Sequence, residues 1–295
     1  GHRLAGDAID TTGLEKRPPV GLTIVNGGPA ASGATGAAVI PIHGVLAPRM
    51  NAMSDISGGA TYEQASQALA QCMAKPDVGT IVLDVDSPGG SVLGASEFAR
   101  EVLAARTKKR IVAHANYEMC SAAYWIASCA TEIVASPSAM VGSVGVYSIH
   151  EDLSAALEQL GVKLTYVSAG KFKVDGNNSE PLSDSARARL QGLVDAHYGR
   201  FVGDVAKGRG VSESAVRGGF GEGSTLTSDE AMAAGLVDRL GTFEETLARV
   251  LPSSTAPVAL APSPRDTPQE PRQATGQDRV LQQRAAQRAL LTLGL

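Results

Sequence analysis

The sequence predicts an α/β fold, and three observations lead there. Apolar, β-branched runs of strand length recur along the chain, Thr80-Ile81-Val82-Leu83-Asp84-Val85 being the clearest. Between them lie stretches of helical length opened by capping residues, and glycines punctuate the joins. Buried strands alternating with helices imply βαβ units with right-handed crossovers and a parallel sheet covered on both faces.

Taken in order, residues 1–36 are rich in Gly, Ala and Pro and read as a flexible arm with a short strand at 22–25. The ordered domain starts at Ala37 with the apolar run Ala38-Val39-Ile40-Pro41-Ile42. Thr61 with Gln64 has the spacing of a capping box, opening a helix to about Ala74. After the 80–85 strand come a helix over 92–105 and a strand over 110–115. A helix over 121–129, strands at 132–135 and 144–147, a helix ending at Gly161 and a strand at 162–167 follow. Ser183 caps a long helix to about Ala206, and Thr227 with Glu230 makes a second capping box closed by Gly235. Past Val250, Pro252, Pro257, Pro262, Pro264, Pro268 and Pro271 mark a linker, and 277–293 returns to helical spacing as a tail helix or partner-docking segment. The domain reading is therefore an arm at 1–36, a main domain at 37–250, and a linker and tail at 251–295.

Bulk properties exclude several classes of function. With 295 residues, 43% of them hydrophobic, the chain can bury one core of about 200 residues plus extensions, or two small domains. A formal charge of −4 and scattered Lys and Arg give no footprint for nucleic acid. Cys72, Cys120 and Cys129 are odd in number and far apart, which argues against a disulfide framework or a zinc site and for a reducing compartment. No apolar run approaches the roughly 18–20 residues that cross a bilayer, and no signal peptide is legible. The chain opens Gly1-His2-Arg3 rather than on Met, which reads as a trimmed start or a tag remnant. The expected location is cytoplasmic, or membrane-associated if an anchor preceded Gly1.

Three segments carry candidate chemistry. Asp86-Ser87-Pro88-Gly89-Gly90-Ser91 joins a buried strand to a helix, and its glycines permit a turn that aims bare N–H groups into a cleft. Such a turn suits an oxyanion hole, a phosphate cradle or an ordinary βα connection. In Cys120-Ser121-Ala122-Ala123-Tyr124-Trp125, Ser121 is placed either as a nucleophile or as a plain helix N-cap, and small neighbours let a substrate approach. The Ala122 N–H could be a second oxyanion donor beside Gly90. Cys120 is a rival nucleophile, but apolar flanks favour inert core. Serine needs a base, and no histidine sits in a triad signature, His114 being held in reserve. A lysine can serve if burial lowers its pKa from about 10.4 to about 7–8, at a cost on the order of 4 kcal/mol. Gly170-Lys171-Phe172-Lys173 is the candidate location, against a plain reading as two solvated loop lysines.

These segments occur in the same order in the signal peptide peptidase A (protease IV) family, which this chain resembles over roughly 37–250. The matching residues are Ser87-Pro88-Gly89-Gly90, Ser121 to Ala127, Gly142-Ser143-Val144-Gly145, Gly170 to Lys173, and Ala234-Gly235-Leu236-Val237-Asp238-Arg239-Leu240-Gly241. The resemblance implies a crotonase/Clp-protease-like spiral of βαβ units and a homo-oligomeric ring. It implies a Ser-Lys dyad of Ser121 and Lys173, oxyanion donors at Gly90 and Ala122, and Ser143 supporting the lysine. Lys171 falls on a variable position. No metal or other cofactor is implied, and the substrates are polypeptides. The run Ala38 to Leu46 and the Pro/Gln-rich extension look more like the phage branch, whose members trim scaffold and capsid proteins in prohead maturation. The cellular branch, which degrades cleaved signal peptides, is the alternative. Outside the family, a crotonase-type acyl-CoA enzyme would need a carboxylate near the turn, for which Asp84 and Asp86 are the candidates. An inactive assembly or scaffold protein is the remaining rival, and an intact Ser121 and Lys173 count against it.

Overall fold

The computed structural model describes residues 23–26, 36–49 and 59–251. Among these, strands β1 (Thr23–Asn26), β2 (Gly36–His43), β5 (Val78–Ser87), β6 (Arg110–Cys120), β7 (Glu132–Ala135) and β10 (Arg239–Leu240) are hydrogen-bonded in the order β1-β2-β5-β6-β7-β10. β8 (Met140–Gly142) and β9 (Thr225–Thr227) extend the same sheet beyond the C-terminal half of β6. β3 (Leu46–Ala47) and β4 (Ala60–Thr61) form a separate parallel pair. The pairs from β2 through β7 are parallel, as are β7 with β10 and β6 with β8, while β1–β2 and β8–β9 are antiparallel. The class is α/β with a mostly parallel sheet, as expected.

Each central strand is apolar on both faces because each face has its own core. Ile81, Leu83 and Val85 of β5 join the larger core with Ile40, Ile42, Ile111 and Ala113. That core is closed by helices α1 (Tyr62–Ala74), α2 (Ala95–Ala105), α3 (Ala122–Ala127) and α5 (Asp184–Arg209). Val82 points the other way, to a smaller cluster with Ala37, Val39, Val112 and Val134, covered by Phe243, Leu247 and Val250 of α8 (Phe243–Val250). Helix α4 (Ser154–Gln159) lies apart from both cores; α6 (Glu213–Gly219) contributes Val216 and α7 (Ser228–Ala233) contributes Ala231 to the larger one.

One buried carboxylate ties three helices together. Asp204 of α5 accepts hydrogen bonds from Ser96 Oγ at 2.7 Å and Trp125 Nε1 at 3.1 Å, and Arg100 Nε stands 3.5 Å away. A charge at 3% exposure needs such partners, since an unpaired one costs several kcal/mol. Trp125 also stacks on Phe201, ring centroids 4.5 Å apart. The short helix that follows Ser121 is thereby held at its midpoint.

Local signals read from the sequence match the structure at several ends. Thr61, Ser183 and Thr227 each cap their helix through a side-chain oxygen, and Thr227 with Glu230 closes a full capping box. A second full box, Thr242 with Glu245, opens α8, a helix the sequence reading passed over. Two expected strands differ. The strand expected at 144–147 lies earlier, at Met140–Gly142, because Ser143 takes φ 52° and turns the chain out of the ladder. Residues 162–167 form no ladder at all and are exposed. The linker and tail expected at 252–295, and the arm up to residue 22, lie outside the described residues.

Candidate functional site

The site grows from a change of partner along β6. Its first half pairs with β7 over Val112–Ala115, and its last three residues pair with β8, Cys120 opposite Gly142. This carries Gly142 and Ser143 alongside the point where β6 ends and α3 begins, and Ser121 stands at that junction.

Ser121 has φ 52° and ψ −124°. A non-glycine residue in that region is strained by about 1–3 kcal/mol, and a sharp strand-to-helix turn of this kind lifts a serine hydroxyl clear of the sheet. The backbone is held at both ends: Ser121 N–H donates to Gly142 C=O at 2.8 Å, and Trp125 N–H donates to Ser121 C=O at 2.9 Å. The hydroxyl makes no capping hydrogen bond, so the plain N-cap role is not the one observed. Ser121 is half-buried between buried Cys120 and Ala122.

Against this serine lies the Gly-Gly turn. A Cβ on Gly89 would sit 2.7 Å from Ser121 Cβ and 2.8 Å from Ala122 N, with φ at +98°, so only glycine fits. A Cβ on Gly90 would come within 2.1 Å of Leu46 O. Leu46 N–H donates to Gly89 C=O at 2.8 Å, and Ser91 N–H donates to Leu46 C=O at 2.9 Å. Because the Gly89–Gly90 peptide is planar and trans, anchoring its oxygen on β3 turns the Gly90 N–H to the opposite side. Ser87 braces the turn from within: its buried Oγ donates to Gly44 C=O at 2.6 Å and accepts from Gly89 N–H at 3.1 Å. That strut was not foreseen, although a serine before Pro-Gly-Gly is its signal. Ala122 N–H, in the first turn of α3, has no intrahelical acceptor by position.

Ser143 sits one residue beyond the Cys120–Gly142 pair, also at φ 52°, its N–H donating to Ser224 C=O at 2.8 Å. The structure thus brings together Ser121, Ala122, the Gly89–Gly90 turn and Ser143. It does not bring Lys173. That residue is exposed, its N–H donating to Gly170 C=O at 3.1 Å, and no hydrogen bond among the described residues joins it to Ser121. The segment that carries it exposes Tyr147 (83%), Ile149 (79%), Leu160 (75%) and Val167 (96%). Phe172 beside it lies between Lys171 and Arg189, 5.1 and 5.4 Å from its ring centre. An open hollow of about 420 Å³, lined by Leu157, Val162, Leu164 and Glu180 among others, belongs to the same segment and not to Ser121.

The alternatives fare as follows. Cys120 is buried, and burial together with Glu118 pushes its thiol up to about 12, so it is no nucleophile. His114 is fully buried on the face covered by α8, 3.1 Å from Thr246 Oγ1 and 3.2 Å from Ser136 Oγ. Seven residues before Ser121 on an extended strand, it is on the order of 20 Å away and cannot act as its base. Asp84 accepts from Asn116 Nδ2 at 2.7 Å and lies 3.1 Å from His43 Nε2, so its carboxylate is committed there. Among the described residues no group of His, Cys, Asp and Glu could hold a metal, and no helix is long and apolar enough to cross a membrane.

The model of peptidase family S49 matches residues 104–253, about half of the chain. Capsid assembly protease C of Escherichia phage lambda is 37% identical over 205 residues, covering 70% of this chain and 46% of the relative. Protease 4 of Salmonella typhi is 32% identical over 222 residues, covering 75% and 35%. The chain therefore spans less than half the length of these relatives. Among solved structures, a point mutant of ClpP1 from Listeria monocytogenes aligns with a TM-score of 0.44 at 13% identity, over 71% of this chain and 94% of that one.

Proposed function

The chain belongs to peptidase family S49, and on that premise we propose that it is a serine endopeptidase with Ser121 as nucleophile and Lys173 as general base. The observation that carries the proposal is the conformation of Ser121: a strained turn, a hydroxyl free of capping, and the glycine turn packed directly against it. Unprotonated Lys173 takes the Ser121 proton, and the resulting alkoxide attacks a peptide carbonyl. The oxyanion forms between the N–H groups of Gly90 and Ala122, each donor being worth about 3–4 kcal/mol. The lysine then protonates the leaving amine, and water resolves the acyl-enzyme. Ser143 follows Gly142, the β8 partner of Cys120, and is the group that would hydrogen-bond the lysine once it is delivered.

Lys173 lies on a segment with unpartnered apolar side chains, which supports its delivery by assembly. In this reading copies of the chain form a ring, neighbours cover Tyr147, Ile149 and Val167, and the lysine reaches the serine of an adjacent copy. The protease domain is 37–250, joined by β1 at Thr23–Asn26, which pairs with β2 in the same sheet and so departs from the expected arm at 1–36; the rest of that arm up to residue 22, and the expected linker and tail from residue 252, lie outside the described residues. The likeness to a phage capsid assembly protease supports scaffold and capsid polypeptides as substrates, within the host cytoplasm or prohead. The likeness to protease 4 supports cleaved signal peptides as the second reading.

A fluorophosphonate probe tests the dyad without a known substrate. The expected adduct maps to Ser121 by mass spectrometry and is lost in Lys173→Ala. A folded, assembled sample that takes no label would overturn the assignment.

A further inference from the structure

The backbone around the Gly-Gly turn is tied down one peptide at a time. β3 holds two consecutive peptides, through Leu46 N–H to Gly89 C=O and Ser91 N–H to Leu46 C=O. The carbonyl of the following peptide, that of Ser91, accepts from the hydroxyl of Tyr62 at 2.6 Å. Tyr62 is the first residue of α1, directly after β4, which pairs with β3. Its ring is buried and lies against Gly94, where a Cβ would come within 2.7 Å of Cδ2. Burial also holds the phenol above its ordinary range, so it stays protonated and remains a donor.

The geometry of this chain of contacts matters because an oxyanion donor works by direction. Gly89 and Gly90 have no side chains to resist rotation, so the aim of the Gly90 N–H depends on what is bonded to either side of it. Upstream, the Ser87 hydroxyl holds the Gly89 N–H. Downstream, β3 and Tyr62 hold the two backbone groups of Ser91. We propose that Tyr62 is a positioning residue for catalysis: its hydroxyl, by fixing the Ser91 carbonyl, keeps the Gly90 N–H aimed at the oxyanion. This rests on the reading of Ser121 as the nucleophile.

The test uses the full chain and Tyr62→Phe, which keeps the ring against Gly94 and removes only the hydroxyl. Two quantities are read with a fluorophosphonate probe: the second-order rate constant for labelling Ser121, and the fraction labelled at completion. Hydrolysis of p-nitrophenyl acetate supplies kcat and KM separately. The expected result is a labelling rate constant and a kcat about 10-fold lower, roughly the part of a donor's 10²–10³-fold effect that misalignment would forfeit. KM, the fraction labelled and the melting temperature of assembled protein would stay close to wild type. A purely structural role predicts the reverse, with melting temperature and labelled fraction falling while the rate constant holds; that result overturns the proposal. An unchanged rate constant in a variant whose Ser121 still labels fully overturns the role of Tyr62 and leaves the nucleophile assignment intact. Wild-type protein that takes no label at Ser121 removes both.

Discussion

The two halves of the proposed dyad sit in regions of opposite character. Ser121 is set at the end of a long central strand, between two buried residues, with its backbone bonded on both sides and a glycine turn packed on it. Lys173 lies on a segment where Tyr147, Ile149, Leu160 and Val167 face solvent and 162–167 joins no sheet. The first region is complete within one chain. The second carries apolar surface that gains only by meeting another surface. On the proposed reading, the difference teaches that the nucleophile and oxyanion donors are set by folding within one chain, while the base lies on a surface that folding leaves exposed.

That contrast can be broken most directly at the dyad. Ser121→Ala and Lys173→Ala are each expected to lower the rate by about 10³-fold or more. If the lysine is delivered between copies, mixing the two inactive variants before assembly restores a fraction of the activity. Failure to restore any, in mixed assemblies confirmed by native mass spectrometry, would place both residues of the dyad in one chain.

Gly89→Ala probes the preformed half alone. Its Cβ would collide with Ser121 Cβ and Ala122 N, so probe labelling should fall about 100-fold while Lys173 and its segment are untouched. Labelling at the wild-type rate would mean that the turn is not pressed on the serine.

Stability sharpens the comparison next. Trp125 is buried, stacked on Phe201 and bonded to Asp204, so Trp125→Ala should cost about 3–5 kcal/mol in denaturant unfolding. Val167→Ser, at a fully exposed position, should change the stability of dissociated protein by less than about 0.5 kcal/mol and weaken assembly instead.

A pH dependence confined to the sheet body is expected as well. Burial lowers His114 from 6.5 to about 4, outweighing the opposing pull of Asp84 and Glu244. The unfolded chain therefore binds the proton first, and this contribution to stability is complete above pH 6.5 and is lost as the pH falls towards about 4. Melting temperatures recorded across that window should decline on acidification, and His114→Asn should flatten the decline.

Much of the fold was legible because its signals are local. Buried strand runs such as 80–85, and the caps at Thr61, Ser183 and Thr227, involve residues within one strand or one helical turn. The capping box at Thr242 and Glu245 is equally local, both of its hydrogen bonds lying within one helical turn. Missed for a physical reason was the fate of 162–167. Its alternation suits a strand, but a strand exists only as part of a ladder, and among the described residues none pairs with it.

The sequence by itself determined the α/β class and the order of most elements, and it offered Ser121, the Gly89–Gly90 turn and the Lys171–Lys173 segment as candidates for chemistry. The choice of Lys173 and the supporting role of Ser143 came from the family resemblance. Only the tertiary structure decided that Ser121 takes a positive φ, that Gly89 must be bare to lie against it, and that β8 replaces β7 beside β6 to bring Ser143 near. It also placed His114 under α8 and engaged Asp84 with Asn116 and His43. The reason is distance along the chain. Gly89 and Ser121 are 32 positions apart in sequence, and no local preference reports a contact made across a sheet.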